Sequence, residues 1–259
     1  MEDQSVLIEM ADGIGVVTIN RPQVRNALNS GTVEALASAL REVERNVDVK
    51  VIVITGVGKV FVAGADIKEM AAMDPAAARA FSQRGHRLIG FMEQMKKPII
   101  AAVNGYALGG GLELALACDF IYAAEDAKVG LPEVTLGVIP GFGGTQNLPR
   151  AIGPYRAKEL IFSGRQLTAQ QARDWGLVNE VVPADELMAR VMELAQNIAR
   201  NGLLAISAAK QAIVNGLNGT KENGLLLEGA LFGLIFDSED QKEGMRAFVE
   251  KRPAAFKGK

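Results

Sequence analysis

The feature that most constrains this chain is a three-glycine run, residues 109–111, between an apolar run and a helix-like segment. The apolar run Ile99–Val103 ends on the turn pair Asn104-Gly105, and the segment Leu112–Cys118 follows the glycines. A strand would thus pass into a helix through a bend without side chains, which can adopt positive φ and lets a ligand approach the backbone. The first N–H groups of a helix lack partners within it, and the helix dipole favours negative charge there. The pattern predicts a junction suited to a developing anion.

Two glutamates accompany this junction. Glu113 falls in the first turn of the predicted helix among leucine and alanine neighbours, and Glu133 follows Leu131-Pro132 in a predicted loop. Oxyanion donors together with two carboxyl groups are the parts that proton transfer next to a carbonyl requires. Each feature alone has a simpler explanation, since glycines at a junction can serve close packing and a glutamate near a helix start can be a surface residue. The hypothesis of a catalytic site rests on the combination.

A second junction of this kind lies upstream. Val51–Thr55 has the pattern of a strand buried on both faces, and after a glycine-rich stretch Asp66 and Glu69 are predicted to form a capping-box-like pair at a helix start near Gly64 and Ala65. If the strands of the two junctions are neighbours in one sheet, two backbone N–H groups could converge on one oxygen. Neither glycine run has the spacing of a P-loop or of Gly-x-Gly-x-x-Gly, which disfavours ATP and NAD.

The rest of the chain predicts an α/β part followed by helices. The pair Asp12-Gly13 between two β-branched runs predicts a hairpin, and the spacing of apolar residues predicts an amphipathic helix over Thr32–Asn46. From Asp185 onward the periodicity is helical only, so the internal boundary is placed near residue 201, with an α/β core at 1–201 and a helical region at 202–259.

Two segments of the helical part draw attention. Leu225–Phe236 is apolar nearly all round, which indicates either deep burial or a subunit interface. Ser207 and Lys210 have the Ser-x-x-Lys spacing of some acyl-enzyme hydrolases, but the other elements of that signature are missing, so we interpret the match as chance on a helix surface.

Composition excludes several classes of function. The chain has 28 basic and 30 acidic residues, a net charge of −2 that gives no overall attraction to nucleic acid or to an anionic membrane. Cys118 is the only cysteine and His86 the only histidine, which argues against a disulfide, a cysteine zinc cluster, a histidine metal site and a Ser-His-Asp triad. The polar, acidic first residues do not have the pattern of a targeting segment, so a cytoplasmic location is expected.

Several motifs, in order along the chain, resemble the enoyl-CoA hydratase/isomerase (crotonase) family. They are Phe61-Val-Ala-Gly-Ala-Asp-Ile-Lys-Glu-Met70, Pro98-Ile-Ile-Ala-Ala-Val-Asn-Gly-Tyr-Ala-Leu-Gly-Gly-Gly-Leu-Glu-Leu-Ala115, Leu131-Pro-Glu133, Gly137-Val-Ile-Pro-Gly141 and Gly143-Gly-Thr-Gln146. The resemblance covers essentially the whole chain. It implies a crotonase-like α/β spiral of ββα units with a C-terminal helical trimerisation region, assembled as a homotrimer or as a homohexamer of two trimers.

The resemblance also implies site residues. The N–H groups of Ala65 and Gly110 would form the oxyanion hole for a coenzyme A thioester, and Glu113 and Glu133 match the two catalytic acids of the hydratases. The remaining expected substrate and coenzyme A contacts are Ala63, Asp66, Ile67, Lys68, Gly141 and Phe142. No metal and no cofactor is expected, because coenzyme A is part of the substrate.

The implied reaction is reversible syn hydration of a short trans-2-enoyl-CoA. The related isomerases generally use one acid, so the presence of both acids favours a hydratase. Another thioester reaction of the same family, isomerisation or decarboxylation, is the alternative. Some relatives resemble RNA binders, but the balanced charge does not favour that function.

Overall fold

The computed structural model describes residues 4–259, which form two β-sheets and eleven α-helices. One sheet has six strands in the order β1-β2-β3-β5-β7-β10, and the other has four in the order β4-β6-β8-β9. The strands are β1 Val6–Ala11, β2 Ile14–Ile19, β3 Val51–Gly56, β4 Val60–Val62, β5 Ile99–Val103, β6 Tyr106–Leu108, β7 Phe120–Ala124, β8 Lys128–Gly130, β9 Leu167–Thr168 and β10 Glu180–Val182. The helices are α1 Ser30–Arg45, α2 Ile67–Met70, α3 Pro75–Gln94, α4 Gly110–Leu116, α5 Gly144–Ile152, α6 Pro154–Ser163, α7 Ala169–Asp174, α8 Leu187–Ala199, α9 Leu203–Leu217, α10 Lys221–Ile235 and α11 Glu239–Val249.

Successive turns of the chain repeat one unit. β3, β5 and β7 are parallel neighbours in the large sheet, and the strands that follow them, β4, β6 and β8, are parallel neighbours in the small sheet. Helices α2 and α3 follow the first pair of strands, and α4 follows the second. Each turn therefore places one strand in each sheet before its helix, which confirms the predicted spiral of ββα units.

The local predictions at the start of the chain are also confirmed. β1 and β2 pair antiparallel, and Asp12 and Gly13 between them have φ of 51° and 79°, the positive values that a tight hairpin turn requires. Helix α1 begins earlier than predicted, at Ser30, because the Asn29 side chain accepts a hydrogen bond from the Thr32 N–H at 2.8 Å and caps it there.

The core lies between the large sheet and the helices that pack on it. Every residue of β3 and of β5 is buried. Such continuous apolar runs are typical of parallel strands covered on both faces. Helix α8 packs against β3, β5 and β7, and α1 packs against α3. The first strands of the two glycine-containing units, β3 and β5, are therefore held side by side.

Helix α9 is attached to the core by a buried lysine. Lys210 Nζ donates to Asp119 Oδ2 at 2.8 Å and to the Met92 carbonyl at 3.2 Å. Both Ser207 and Lys210 are buried, so the predicted surface position of this pair is wrong. The lysine is used in packing because its charge and donors are satisfied by core groups.

Helix α10 has no buried residue, although it was one of the most apolar segments of the sequence. Leu226 is 73% exposed and Leu234 69% exposed. Deep burial of this helix among the described residues is therefore wrong, and the alternative, a subunit interface, stays a prediction. The division into 1–201 and 202–259 stays a prediction. No helix within residues 4–259 combines the length and apolar character needed to cross a membrane.

Candidate active site

A cavity of 640 Å³ lies where α2, α3 and α4 meet the loop that follows β8. Its wall is mostly apolar, but two carboxyl groups and two glycine-containing junctions face it. We call residues 63–66 the first glycine junction and residues 108–111 the second glycine junction. The lining residues are Ala63, Gly64, Ala65, Ile67, Met70, Met73, Ala78, Phe81, Ser82, His86, Gly109, Gly110, Glu113, Pro132, Glu133, Leu136, Val138, Ile139, Pro140, Gly141, Phe142 and Thr145.

The second glycine junction is shaped by close packing. Gly109 has φ of +52°, a conformation that L side chains rarely adopt. A methyl carbon on Gly111 would lie 2.1 Å from the Val62 carbonyl oxygen, so α4 approaches β4 as closely as backbone allows. No side chain caps α4, and Gly110 is its first residue. The Gly110 N–H consequently has no hydrogen-bond partner among residues 4–259.

The first glycine junction is held by residues from elsewhere in the chain. Leu28 N donates to the Gly64 carbonyl and Asp66 N donates to the Leu28 carbonyl, both at 2.8 Å. This bridge leaves the N–H of Ala65 without a partner in the described part of the chain. A methyl carbon on Gly110 would lie 3.7 Å from Ala65 N. The two unpaired N–H groups therefore belong to residues that lie next to each other at the cavity wall, and their role as an oxyanion hole stays a prediction.

Glu113 is the deepest polar group of the cavity. It is 2% exposed, and its Oε1 accepts hydrogen bonds from Phe142 N at 2.8 Å and from Gly144 N at 2.7 Å. Burial raises the pKa of Glu113 to about 7, and the two N–H donors oppose that rise because they favour the ionised carboxylate. A methyl carbon on Gly144 would lie 2.9 Å from this oxygen, so the position next to the carboxylate has no room for a side chain.

Glu133 begins a 3₁₀ turn, Glu133–Leu136, in the loop that follows β8. A methyl carbon on Gly109 would lie 3.1 Å from Glu133 Oε1, which places this acid next to the junction. Glu133 Oε2 is buried and has no hydrogen-bond partner within residues 4–259. Burial raises the pKa of Glu133 as well. A buried carboxylate oxygen without a donor is costly in its ionised form, so this environment favours the protonated acid.

Comparison with known proteins identifies the family. The sequence model described as enoyl-CoA hydratase/isomerase matches residues 9–259. The chain belongs to the enoyl-CoA hydratase/isomerase family. It is 45% identical over 253 residues to the short-chain-enoyl-CoA hydratase of Clostridium acetobutylicum, covering 97% of each chain. It is also 45% identical to the crotonyl-CoA hydratase of Syntrophomonas wolfei, with 99% of each covered. The crystal structure of an enoyl-CoA hydratase from Bacillus anthracis superposes with a TM-score of 0.95 at 42% identity, over 99% of this chain and 100% of that one.

In this enoyl-CoA hydratase/isomerase family member, most of the site residues that the sequence predicted line one cavity. Ala63, Ala65, Ile67, Gly110, Glu113, Glu133, Gly141 and Phe142 all do so. Asp66 and Lys68 do not line it. Asp66 accepts hydrogen bonds from Lys68 N at 3.2 Å and from Arg21 Nη2 at 3.3 Å, and Lys68 is exposed to solvent. Their assignment to coenzyme A stays a prediction.

The predicted capping box at the first junction is wrong in one half. Asp66 caps α2, but Glu69 does not reach back to the Asp66 N–H. It accepts hydrogen bonds instead from the N–H of Ser30, at 2.9 Å, and from the Ser30 hydroxyl. The Asp66 N–H is already bound to Leu28, so the local motif gives way to two tertiary contacts. These contacts fasten α2 to the start of α1.

Sequence reasoning missed the contribution of α3 to the cavity. Phe81, Ser82 and His86 of this helix line it, and so do Met70 and Met73 just before it. Ser82 and His86 are four residues apart and therefore share one helix face, which was the available signal. Apolar residues such as Phe81, Leu88 and Met92 recur at helical spacing in this segment, a pattern that predicts core packing and gives no sign of a cavity. None of the described residues form a group of three or more metal-binding side chains.

Proposed function

We propose that this protein catalyses the reversible hydration of a short trans-2-enoyl-CoA thioester to the 3-hydroxyacyl-CoA. The observation that carries the proposal is the grouping of two unpaired N–H groups and two carboxyl groups with raised pKa around one apolar cavity. Hydratase relatives at 45% identity support the same reaction. A place in fatty-acid β-oxidation follows from the resemblance.

The oxyanion hole stabilises the intermediate charge. Addition of water to the C2–C3 double bond builds enolate charge on the thioester oxygen. The N–H groups of Ala65 and Gly110 are proposed to donate to that oxygen. Removal of one such donor typically costs on the order of 10²–10³ in rate. Because these donors are backbone groups, their position depends on the two junctions rather than on any side chain.

Glu113 is proposed as the base that orients and deprotonates the water. Both N–H donors bind its Oε1, which leaves Oε2 for water. A pKa of about 7 suits a base that must accept a proton and release it again at neutral pH. The fixed Oε1 also prevents the carboxylate from rotating away.

Glu133 is proposed as the acid that delivers a proton to C2. Burial raises its pKa and so favours the protonated form, and its Oε2 has no partner in the described chain. Balance requires that the water proton reach Glu113 and that the Glu133 proton reach C2. The alternative reaction, isomerisation, needs one acid, and the second acid at the cavity favours hydration over it.

The direct test is the loss of the conjugated-enone absorbance of crotonyl-CoA, with Glu113→Gln and Glu133→Gln beside the wild type. We expect rapid loss with the wild type and a fall of about 10²–10⁴ in kcat for each variant, with thioester binding kept. Glu125→Gln, at an exposed glutamate that does not line the cavity, is the matched control and should keep full activity. Full activity of Glu133→Gln would remove its assigned role. Binding without any hydration would turn the search to isomerase or decarboxylase substrates.

A homotrimer or homohexamer built through the C-terminal helices belongs to the same proposal. Helix α10 and its surroundings expose large apolar side chains, among them Leu226, Phe232, Leu234 and Phe248, which a stable monomer would rarely leave in contact with water. Sedimentation equilibrium should give three or six times the chain mass of 27.5 kDa. A monomer at micromolar concentration would contradict this assembly. Addition of EDTA should not change the hydration rate, because the proposed mechanism uses only backbone N–H groups and two carboxyl groups.

A further inference from the structure

One peptide group of the loop between β8 and α5 is held from both sides. The carbonyl oxygen of Gly141 accepts a hydrogen bond from Ser82 Oγ at 2.6 Å. The N–H of Phe142, which belongs to the same peptide group, donates to Glu113 Oε1 at 2.8 Å. The peptide group is planar and trans, so its C=O and N–H point in opposite directions. The loop thus passes between α3, which carries Ser82, and α4, which carries Glu113.

The loop needs such an anchor because its own sequence gives it little rigidity. Pro140-Gly-Phe-Gly-Gly144 contains three glycines, and Gly143 has φ of +103°. The other donor to Glu113, Gly144 N, is the first residue of α5 and is fixed by that helix. Phe142 N has no such helix to hold it. Its direction depends on the peptide plane that Ser82 binds.

We propose that Ser82 is a positioning residue for hydration: through the Gly141–Phe142 peptide group, its hydroxyl aims the Phe142 N–H at Glu113 and so fixes the carboxylate that activates water. This inference rests on the proposed function. Ser82 is not assigned contact with the reacting atoms. Its effect passes through one rigid group, and hydrogen bonds in such a chain strengthen one another.

His86 completes the chain at its outer end. Its Nε2 lies 3.5 Å from Ser82 Oγ, one turn along α3. The Ser82 hydroxyl proton is used on the Gly141 carbonyl, so the hydroxyl oxygen is free to accept from the imidazole. The titratable groups that face Glu113 within the cavity are thus Glu133, across the second junction, and His86, through Ser82.

The consequence concerns the pH at which Glu113 becomes a base. Hydrogen bonds from N–H groups favour the ionised carboxylate, and the bond from Phe142 is one of two that oppose the effect of burial on the pKa of Glu113. A less well aimed N–H would stabilise the carboxylate less. The acid limb of the pH profile would then move to higher pH.

The test compares Ser82→Ala and Ser82→Thr, with kcat, KM and the pH profile of kcat/KM measured on crotonyl-CoA. Loss of one neutral hydrogen bond predicts a fall of about 3- to 10-fold in kcat for Ser82→Ala, little change in KM, and an acid limb displaced upward by up to about one pH unit. Ser82→Thr keeps the hydroxyl and should recover most of both. Ser163→Ala is the matched control, because Ser163 Oγ donates to the Glu159 carbonyl in α6 at the same distance of 2.6 Å. This variant should keep the wild-type kcat, KM and pH profile.

The same measurements are repeated in a His86→Gln background, because His86 contacts the Ser82 hydroxyl. If the acid limb of the kcat/KM profile remains in His86→Gln, and if adding Ser82→Ala still moves it to higher pH, the role of Ser82 is supported. Disappearance of the limb with His86→Gln would overturn it, as would wild-type kcat and limb in Ser82→Ala. An inactive wild type would instead count against the proposed function. Thermal melts of each variant identify any loss that comes from unfolding.

Discussion

The two glycine junctions lie next to each other at the cavity wall, but their backbones are held in different ways. At the first, residues from distant parts of the chain hold the backbone. Leu28 bridges Gly64 and Asp66 through its backbone, Arg21 donates to the Asp66 side chain, and the Ser30 N–H donates to the Glu69 carboxylate. At the second, no side chain caps the helix, and glycines let α4 press against β4. The first junction is partly exposed, and several contacts hold it, so we expect the loss of any one of them to have a small effect. The second junction is buried, and a side chain added at Gly111 would meet backbone, so we expect it to tolerate few substitutions.

The largest effect should come from adding one methyl group to the second junction. In Gly111→Ala the new carbon would lie 2.1 Å from the Val62 carbonyl oxygen and 2.8 Å from Val62 Cβ, so backbone must move. We expect a loss of more than about 3 kcal/mol in the free energy of unfolding, measured by denaturant titration.

Gly90→Ala is the matched control for this substitution. Gly90 lies inside α3, and an added methyl carbon meets nothing within 4 Å. Replacement of a helical glycine by alanine should then stabilise the protein by about 0.5–1 kcal/mol. Equal stability of the two variants would contradict the packing explanation of the second junction.

A smaller effect should follow from removing the buried charge of Glu113, and here the substitution should raise the free energy of unfolding and not lower it. The pKa of Glu113 rises from 4.5 to about 7 on folding, so the wild type loses stability as the pH rises through that interval. Glu113→Gln cannot ionise, and its amide oxygen can accept the same bonds from Phe142 and Gly144. Above pH 7 the variant should be more stable than the wild type by up to about 3 kcal/mol, while it loses activity.

The pH dependence of that difference is its own control. At pH 4.5 and below, both side chains are neutral in the folded state and the stability difference should nearly vanish. Thermal unfolding at a series of pH values measures it. If the stability difference stays constant across this pH range, or if the Gln variant is less stable at pH 8, the buried ionised Glu113 does not destabilise the folded protein.

Elements that depend on local sequence could be predicted. The hairpin at Asp12-Gly13 and helix α1 follow from local turn chemistry and periodicity, and the structure confirms both, although α1 begins two residues earlier than predicted. Glu113 lies in the first turn of α4 as predicted, whereas Glu133 begins a 3₁₀ turn and not a loop. Helix α10 starts four residues before the predicted Leu225, because its polar first turn is capped by Thr220 and carries no apolar signal.

Contacts between distant residues were beyond such reasoning. Glu69 binds Ser30, 39 residues away, and Ser82 reaches Gly141, 59 residues away. Both partners are common polar residues whose side chains could serve many roles at a helix surface. Only the tertiary fold decides which carbonyl or N–H group each one meets, and no periodicity in the sequence carries that information.

The smallest of the three effects should come from the first junction, at Asp66. Its side chain accepts from Lys68 N and from Arg21, and Asp66 and Arg21 side chains are only 16% and 15% exposed. Asp66→Ala removes the cap and should lower the free energy of unfolding by about 1 kcal/mol, whereas Asp66→Asn, which caps a helix equally well, should cost less. Because the Leu28 bridge still holds Ala65, kcat on crotonyl-CoA should fall only a few-fold in Asp66→Ala.

If instead KM for the thioester rises steeply in both variants while stability is unchanged, Asp66 binds coenzyme A directly and is not a structural support. The expected pattern, with Ala affected and Asn nearly normal, would show that the first junction is held by several contacts that each contribute little, in contrast to the single tight approach at Gly111.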